Sequence, residues 1–258
     1  MSKMNIKYRL SLFSLFCISI CITSIGCSRS DNCLSKDKPR TEILITREFY
    51  QLSFNTQTKQ PNWVLQKAST ESFSAPIKED MDDYYPDLEI PKDVQSSSSD
   101  YLGSKFVMSS LLFPVTKAEA SPEELRYQYF FSVTCPQNPE FHQGYWKKLR
   151  KRVKEVSDEW NRNVLVLSGP LFLPDRGQTT YSVIGSNQIP VPTHFFQVIF
   201  PTMDLDKAEA YIVPNQKIDV HLPLGSFEVS LTEFRRRSGV LLPENMSDYF
   251  SPPIPPRM

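Results

Sequence analysis

A basic helix set between two apolar strands, within residues 129–170, constrains this chain more than any other stretch. Trp146, Leu149, Val153, Val156 and Trp160 recur at spacings of three and four, the period of a helix that buries one stripe. Lys147, Lys148, Arg150, Lys151, Arg152 and Lys154 stand between them, so the solvent side of the helix is cationic. The run from Tyr129 reads as an apolar strand leading into a Pro-rich turn. Beyond the helix, Val164 to Leu167 predicts a buried strand, closed by the turn residues Ser168, Gly169 and Pro170. A positive helix between two buried strands suits polyanion chemistry. The plain alternative is the solvated side of an amphipathic helix.

At 258 residues, with 40% apolar and 22% charged side chains, the chain can bury one sizeable core and still carry tails. Acidic and basic residues number 29 each, so no global field draws nucleic acid in, and any such contact must come from a local patch. Residues 1–27 read as a targeting segment. Lys3, Lys7 and Arg9 precede an uncharged run from Leu10 to Ile25, and Ser24-Ile25-Gly26-Cys27 resembles a bacterial lipoprotein signal with Cys27 as the acylated residue. That predicts an exported, membrane-anchored lipoprotein, with secreted or periplasmic release and an uncleaved anchor as the alternatives. Cys33 and Cys135 are then the cysteines left in the mature body, and export would permit a disulfide between them. No Cys/His zinc spacing is present.

Residues 28–41 read as a tether, 42–245 as the folded domain and 246–258 as a Pro-rich tail. Phe49 to Asn55 and Gln60 to Leu65 predict a hairpin turning at Thr56 to Lys59. Residues 71–100 gather Glu79, Asp80, Asp82, Asp83, Asp87, Glu89 and Asp93 with a serine run, which reads as a solvated acidic loop. Ser121-Pro122-Glu123-Glu124 has the composition of a helix start. Thr193 to Phe200 and Glu209 to Val213 read as neighbouring strands, and Ser230-Leu231-Thr232-Glu233 as a capping box opening a short helix that Gly239 closes. His194, in an apolar strand, reads as a satisfied core residue, and His221 as a loop residue. Five or six strands interspersed with helices, without β-α-β alternation, predict an α+β fold with a mainly antiparallel central sheet flanked by helices.

Four segments, in this order, resemble the DNA/RNA non-specific endonuclease family with its ββα-metal (His-Me finger) active site. They are Phe54-Asn55 through Gln60-Pro61-Asn62-Trp63; Phe130-Phe131-Ser132 through Pro136-Gln137-Asn138-Pro139 to Trp146; Val164 through Ser168-Gly169-Pro170-Leu171-Phe172; and Val191-Pro192-Thr193-His194, with the later Ser238-Gly239. The resemblance implies a general-base histidine in an Asp-Arg-Gly-His motif and an asparagine ahead of the long helix holding a divalent ion, Mg or Mn. It also implies a glutamate four residues after the helix tryptophan, orienting metal-bound water. In this chain those positions fall on Lys105, His142 and Arg150. An ammonium cannot take a proton from water. His142 could ligate a transition metal but is a poor partner for magnesium, and Arg150 places a permanent positive charge where the family places a negative one. The expectation is a nuclease-like protein with metal-dependent hydrolysis lost or much reduced. It would bind nucleic acid, another polyanion or a protein partner, with Lys147, Lys148, Lys151 and Lys154 contacting the anion and the membrane reached through a lipid on Cys27. The alternatives are an active metal-dependent phosphodiesterase built around His142, and an envelope interaction module.

Overall fold

The predicted hairpin forms and seeds a larger sheet. The computed structural model describes residues 41–69, 73, 84–116, 121–175 and 177–242. Strands β1 (Glu42–Thr46), β2 (Tyr50–Asn55) and β3 (Gln60–Ala68) come first, followed by α1 (Ser98–Tyr101), β4 (Val107–Ser110) and β5 (Thr134–Gln137). A helical segment then runs through α2 (Pro139–Phe141), a π-helical turn (His142–Trp146) and α3 (Lys147–Trp160). The chain continues as β6 (Val164–Leu171), β7 (Val183–Ile184), β8 (Ile189–Pro190), β9 (His194–Phe200), β10 (Glu209–Pro214), β11 (Glu228–Val229) and α4 (Leu231–Ser238). The main sheet has the order β1-β2-β3-β6-β9-β10-β11, antiparallel at every pairing. The α+β reading holds. Strands beyond that count include β4, the small pair β7–β8 and β11, which are too short to show an alternating pattern.

Strand residues alternate between the two faces of this sheet, and each face has its own core. Val64, Val166, Phe195 and Ile199 cluster with Trp146, Leu149, Val153 and Val156 of the finger helix. Leu65, Leu167, Phe196 and Val198 cluster on the other side with Phe234 of α4, whose ring centroid is 5.0 Å from that of Phe196. β3 and β6 approach closely where Gly169 lies, since a Cβ there would sit 2.4 Å from the Asn62 carbonyl oxygen and 2.6 Å from the Phe196 ring.

Several expectations are corrected. The first four residues of the helical stripe are buried, but Trp160 is 42% exposed. It is the last residue of α3, where Asn161 turns left-handed (φ 47°) and ends the helix. Only Thr134–Gln137 of the apolar run before the helix is strand, because Phe131–Val133 forms a 3-10 turn. Ser121 and Glu124 do cap one another (2.7 and 3.3 Å), yet they open a 3-10 helix, Glu124–Tyr129, in place of an α-helix. The acidic stretch is not simply solvated. Asp87 is buried, bonded by Arg47 (2.7 Å) and Ser132 (2.8 Å), while the Arg47 guanidinium lies over the Tyr127 and Phe130 rings. A buried carboxylate is tolerable when it is paired and hydrogen-bonded in this way. Asp100 is buried too, accepting from the backbone N–H of Ser97 and Asn187.

The targeting segment with Cys27, residues 28–40 of the tether with Cys33, the Pro-rich tail, and Glu79, Asp80, Asp82 and Asp83 lie outside the described residues. Cys135 is a buried thiol, pushed well above its ordinary pKa by burial. No helix among the described residues is long and apolar enough to cross a membrane.

Candidate active site

The ββα finger consists of β4, β5 and the helical segment beyond them. Val107 of β4 pairs with Gln137 of β5, and Ser110 with Thr134. The turn from β5 into the helix is closed by Asn138, whose side chain accepts from the Phe141 N–H (3.0 Å) while Pro139 occupies the first turn. This is the usual chemistry of a helix N-terminus. Asn215 holds that turn against the sheet. Its Oδ1 accepts from the Asn138 N–H (2.8 Å), and its Nδ2 donates to the carbonyls of Pro136 (3.2 Å) and Pro192 (2.9 Å).

The π-helical turn spans His142 to Trp146; such turns insert one extra residue and re-aim side chains, often at functional sites. A Cβ at Gly144 would meet Val220 at 3.1 Å, so the 219–223 loop is packed against the turn. Tyr145 donates to the Pro223 carbonyl (2.8 Å), and Lys148 donates to the carbonyls of Val220 (2.9 Å) and Leu222.

Strand register places Lys105 and His142 at the same end of the finger. Lys105 is exposed, just ahead of β4, after a turn in which Gly103 takes φ 69°. His142 lies beyond Gln137, across from the start of β4, and its Nδ1 pairs with the Gln137 Oε1 at 2.9 Å. Arg150 engages the opposite end. Its Nη2 donates to the Leu112 carbonyl (2.9 Å), and its guanidinium lies 4.2 Å from the Phe113 ring centroid. Two of the three family positions therefore lie toward one end of the finger, and the third, Arg150, bonds to residues beyond the other end of β4.

The donor set does not fit a hard divalent cation. Lys105 and Arg150 bring positive charge, and His142 brings nitrogen where magnesium and manganese favour oxygen. Among the described residues no group of three or more His, Cys, Asp and Glu side chains could hold a metal ion.

The cationic helix face is largely compensated from within. Lys151 pairs with Glu155 (3.1 Å), Lys154 with Asp158, and Lys148 is spent on backbone carbonyls. Arg152 makes a bidentate bond to Glu209 (2.6 and 3.0 Å) and another to Glu159 (2.7 Å). Lys147 is exposed. His194 is half-buried, and its Nδ1 lies 3.0 Å from the Thr193 hydroxyl. Burial and, second, the nearby Arg237 hold its pKa below the ordinary value. His221 is exposed in a loop.

Sequence reasoning misses Gln137 and Asn215, which orient His142 and the helix start. The adjacency of Gln137 to the Asn-Pro helix start is a legible cue. Asn215 lies 77 residues from its partner Asn138, and nothing local reports such a contact.

Comparison with known proteins agrees with this architecture. The profile of the DNA/RNA non-specific endonucleases matches residues 33–248, a family of divalent-metal-dependent nucleases. Mitochondrial endonuclease G of Bos taurus is 28% identical over 215 residues, covering 81% of this chain and 71% of that protein. The mitochondrial nuclease EXOG of Mus musculus is 28% identical over 200 residues, or 74% of this chain; the chain spans only 54% of that longer protein. The crystal structure of the EndoG/EndoGI complex contains a chain that superposes with a TM-score of 0.65 at 26% identity, over 77% of this chain and 84% of that one. The expectation of a bacterial membrane-anchored lipoprotein is overturned here, because these relatives are mitochondrial nucleases and not lipoproteins. With the profile spanning most of its length and the ββα finger in place on the antiparallel sheet, the chain belongs to the DNA/RNA non-specific endonuclease family.

Proposed function

We propose that this protein is an endonuclease-family member whose metal-dependent phosphodiester hydrolysis is lost or much reduced and which keeps a nucleic-acid or polyanion-binding role. The observation that carries the reading is the fate of Arg150. Its guanidinium is directed to Leu112 and Phe113 at the position where the family resemblance calls for an acid. Lys105 and Lys147, both exposed, would make the first phosphate contacts. Lys151 and Lys154 would join by exchanging their helix partners for phosphate, since exposed i,i+4 pairs hold each other by only about 0.3–0.5 kcal/mol. Lys148, bonded to two carbonyls, serves the fold first. The working body is the domain from 42 to 245.

A plasmid-nicking assay with magnesium, manganese or zinc tests the loss of hydrolysis, and no cleavage above a buffer control is expected. Retention of DNA or RNA should fall with salt. Neutralising Lys105 and Lys147 should flatten the slope of log K against log salt by about 0.9 for each duplex phosphate no longer neutralised. No retention at low salt would refute the binding role.

A second reading rests on one contact. Gln137 Oε1 orients the His142 imidazole through Nδ1, the kind of support a general base uses. Cleavage that disappears in His142→Ala would establish this reading and end the first.

A further inference from the structure

The segment 111–113 lies between the finger helix and the main sheet, and it is fastened from both sides. From the sheet, Gln66 of β3 donates to the Phe113 carbonyl (2.9 Å) and accepts from the Phe113 N–H (2.7 Å). From the helix, Arg150 donates to the Leu112 carbonyl (2.9 Å) and covers the Phe113 ring at 4.2 Å. The Leu111 N–H donates to the carbonyl of Val133 (2.9 Å), the last residue of the 3-10 turn that leads into β5. Leu111, Leu112, Phe113 and Gln66 are all buried, so these bonds act where water competes little.

We infer that Arg150 is a built-in clamp that fastens the finger helix to the sheet through Leu112 and Phe113, so that the finger is held without a divalent ion. The inference deepens the proposed function and rests on its reading of the Arg150 position. The geometry calls for arginine. A glutamate at 150 would face its oxygens toward the Leu112 carbonyl and the electron-rich face of Phe113. Lysine would keep the charge and lose the flat group that stacks on the ring and donates from its edge. Arg150 is a positioning residue here: it acts on the finger's framework and not on a reacting atom.

The test uses the full chain and reads stability and metal binding. Thermal unfolding of the wild-type protein should be the same in magnesium, in manganese and in EDTA, and calorimetric titration with manganese should show no saturable binding. Arg150→Met should lower Tm by roughly 3–8 °C, and Arg150→Lys should recover only part of that loss. If Arg150→Met does not fold, amide hydrogen exchange compares wild type with Arg150→Lys, in which Leu112 and Phe113 should exchange about tenfold faster. Stoichiometric manganese binding with a rise in the wild-type Tm would overturn the inference, as would unchanged stability and exchange in the variants. Failure here is distinguishable from failure of the proposed function. Cleavage in magnesium without metal-dependent stability removes the proposed function and leaves the clamp, whereas manganese binding without cleavage does the reverse.

Discussion

Replacing Arg152 by methionine tests whether the helix charges serve the fold. Arg152 reaches from α3 to Glu209 at the start of β10, with N–O distances of 2.6 and 3.0 Å, and both side chains are only about one-fifth exposed, at 21% and 22%. Tyr211 donates to the same carboxylate (2.7 Å). A fully exposed ion pair contributes about 0.2–1 kcal/mol, whereas a hydrogen bond to a charged group contributes about 1.5–3 kcal/mol. A bidentate pair at this burial lies near the lower end of the second range, so Arg152→Met should cost about 1.5–2.5 kcal/mol, since methionine keeps much of the stem's packing. At roughly 2–4 °C per kcal/mol for a domain of this size, Tm should fall by about 3–10 °C.

The pH dependence gives a second check. Burial alone would raise the Glu209 pKa, but hydrogen bonds from Arg152 and Tyr211 outweigh it and hold the group below its ordinary 4.5. A carboxylate depressed in the fold binds its proton more readily when unfolded, so its stabilisation is full above pH 4.5 and is lost as pH falls through the lower folded value. Urea unfolding of wild type and Arg152→Met should therefore show a gap at pH 7 that narrows toward pH 3. A gap below about 0.5 kcal/mol at pH 7, or one that stays constant down to pH 3, would refute the reasoning.

Three further substitutions probe the cores and their edge. Gly169→Ala places a methyl against the Asn62 carbonyl oxygen and the Phe196 ring, and chemical denaturation should show a loss of about 3 kcal/mol, at the upper end for overpacking because one neighbour is backbone. Leu149→Ala should cost about 2–5 kcal/mol as a fully buried side chain. Trp160→Ala, at the exposed end of the same stripe, should cost well under half of that by the same measurement.

The finger helix is legible in the sequence because local forces specify it. Asn138 and Pro139 open it, and Trp146 to Val156 repeat with its period. The hairpin of β2 and β3 is legible for the same reason. Trp160 misleads because periodicity cannot show where the packing surface stops. Asp87 misleads because its partner, Arg47, is 40 residues away, and composition alone assigns an acid-rich stretch to solvent. At the candidate site, residue identities at 105, 142 and 150 can be read directly, but their engagements cannot. The cationic face looks available because the sequence displays Lys148, Lys151, Arg152 and Lys154 without showing that carbonyls and acids already engage them.

The order of the main sheet also bears on how the protein assembles. β3 and β6 are neighbours at its centre, with Ala68 paired to Val164, so the entire finger lies inside the loop that their pairing closes. Closing so long a loop in a flexible chain is entropically unfavourable and slow. Some of the finger's contacts span less sequence than that loop: β4 pairs with β5, and Asn138 bonds Phe141. If it collapses first, the two central strands are brought near each other across a structured insert instead of a random coil. The finger would then guide the order of folding, a task indifferent to whether positions 105, 142 and 150 can cut a phosphodiester.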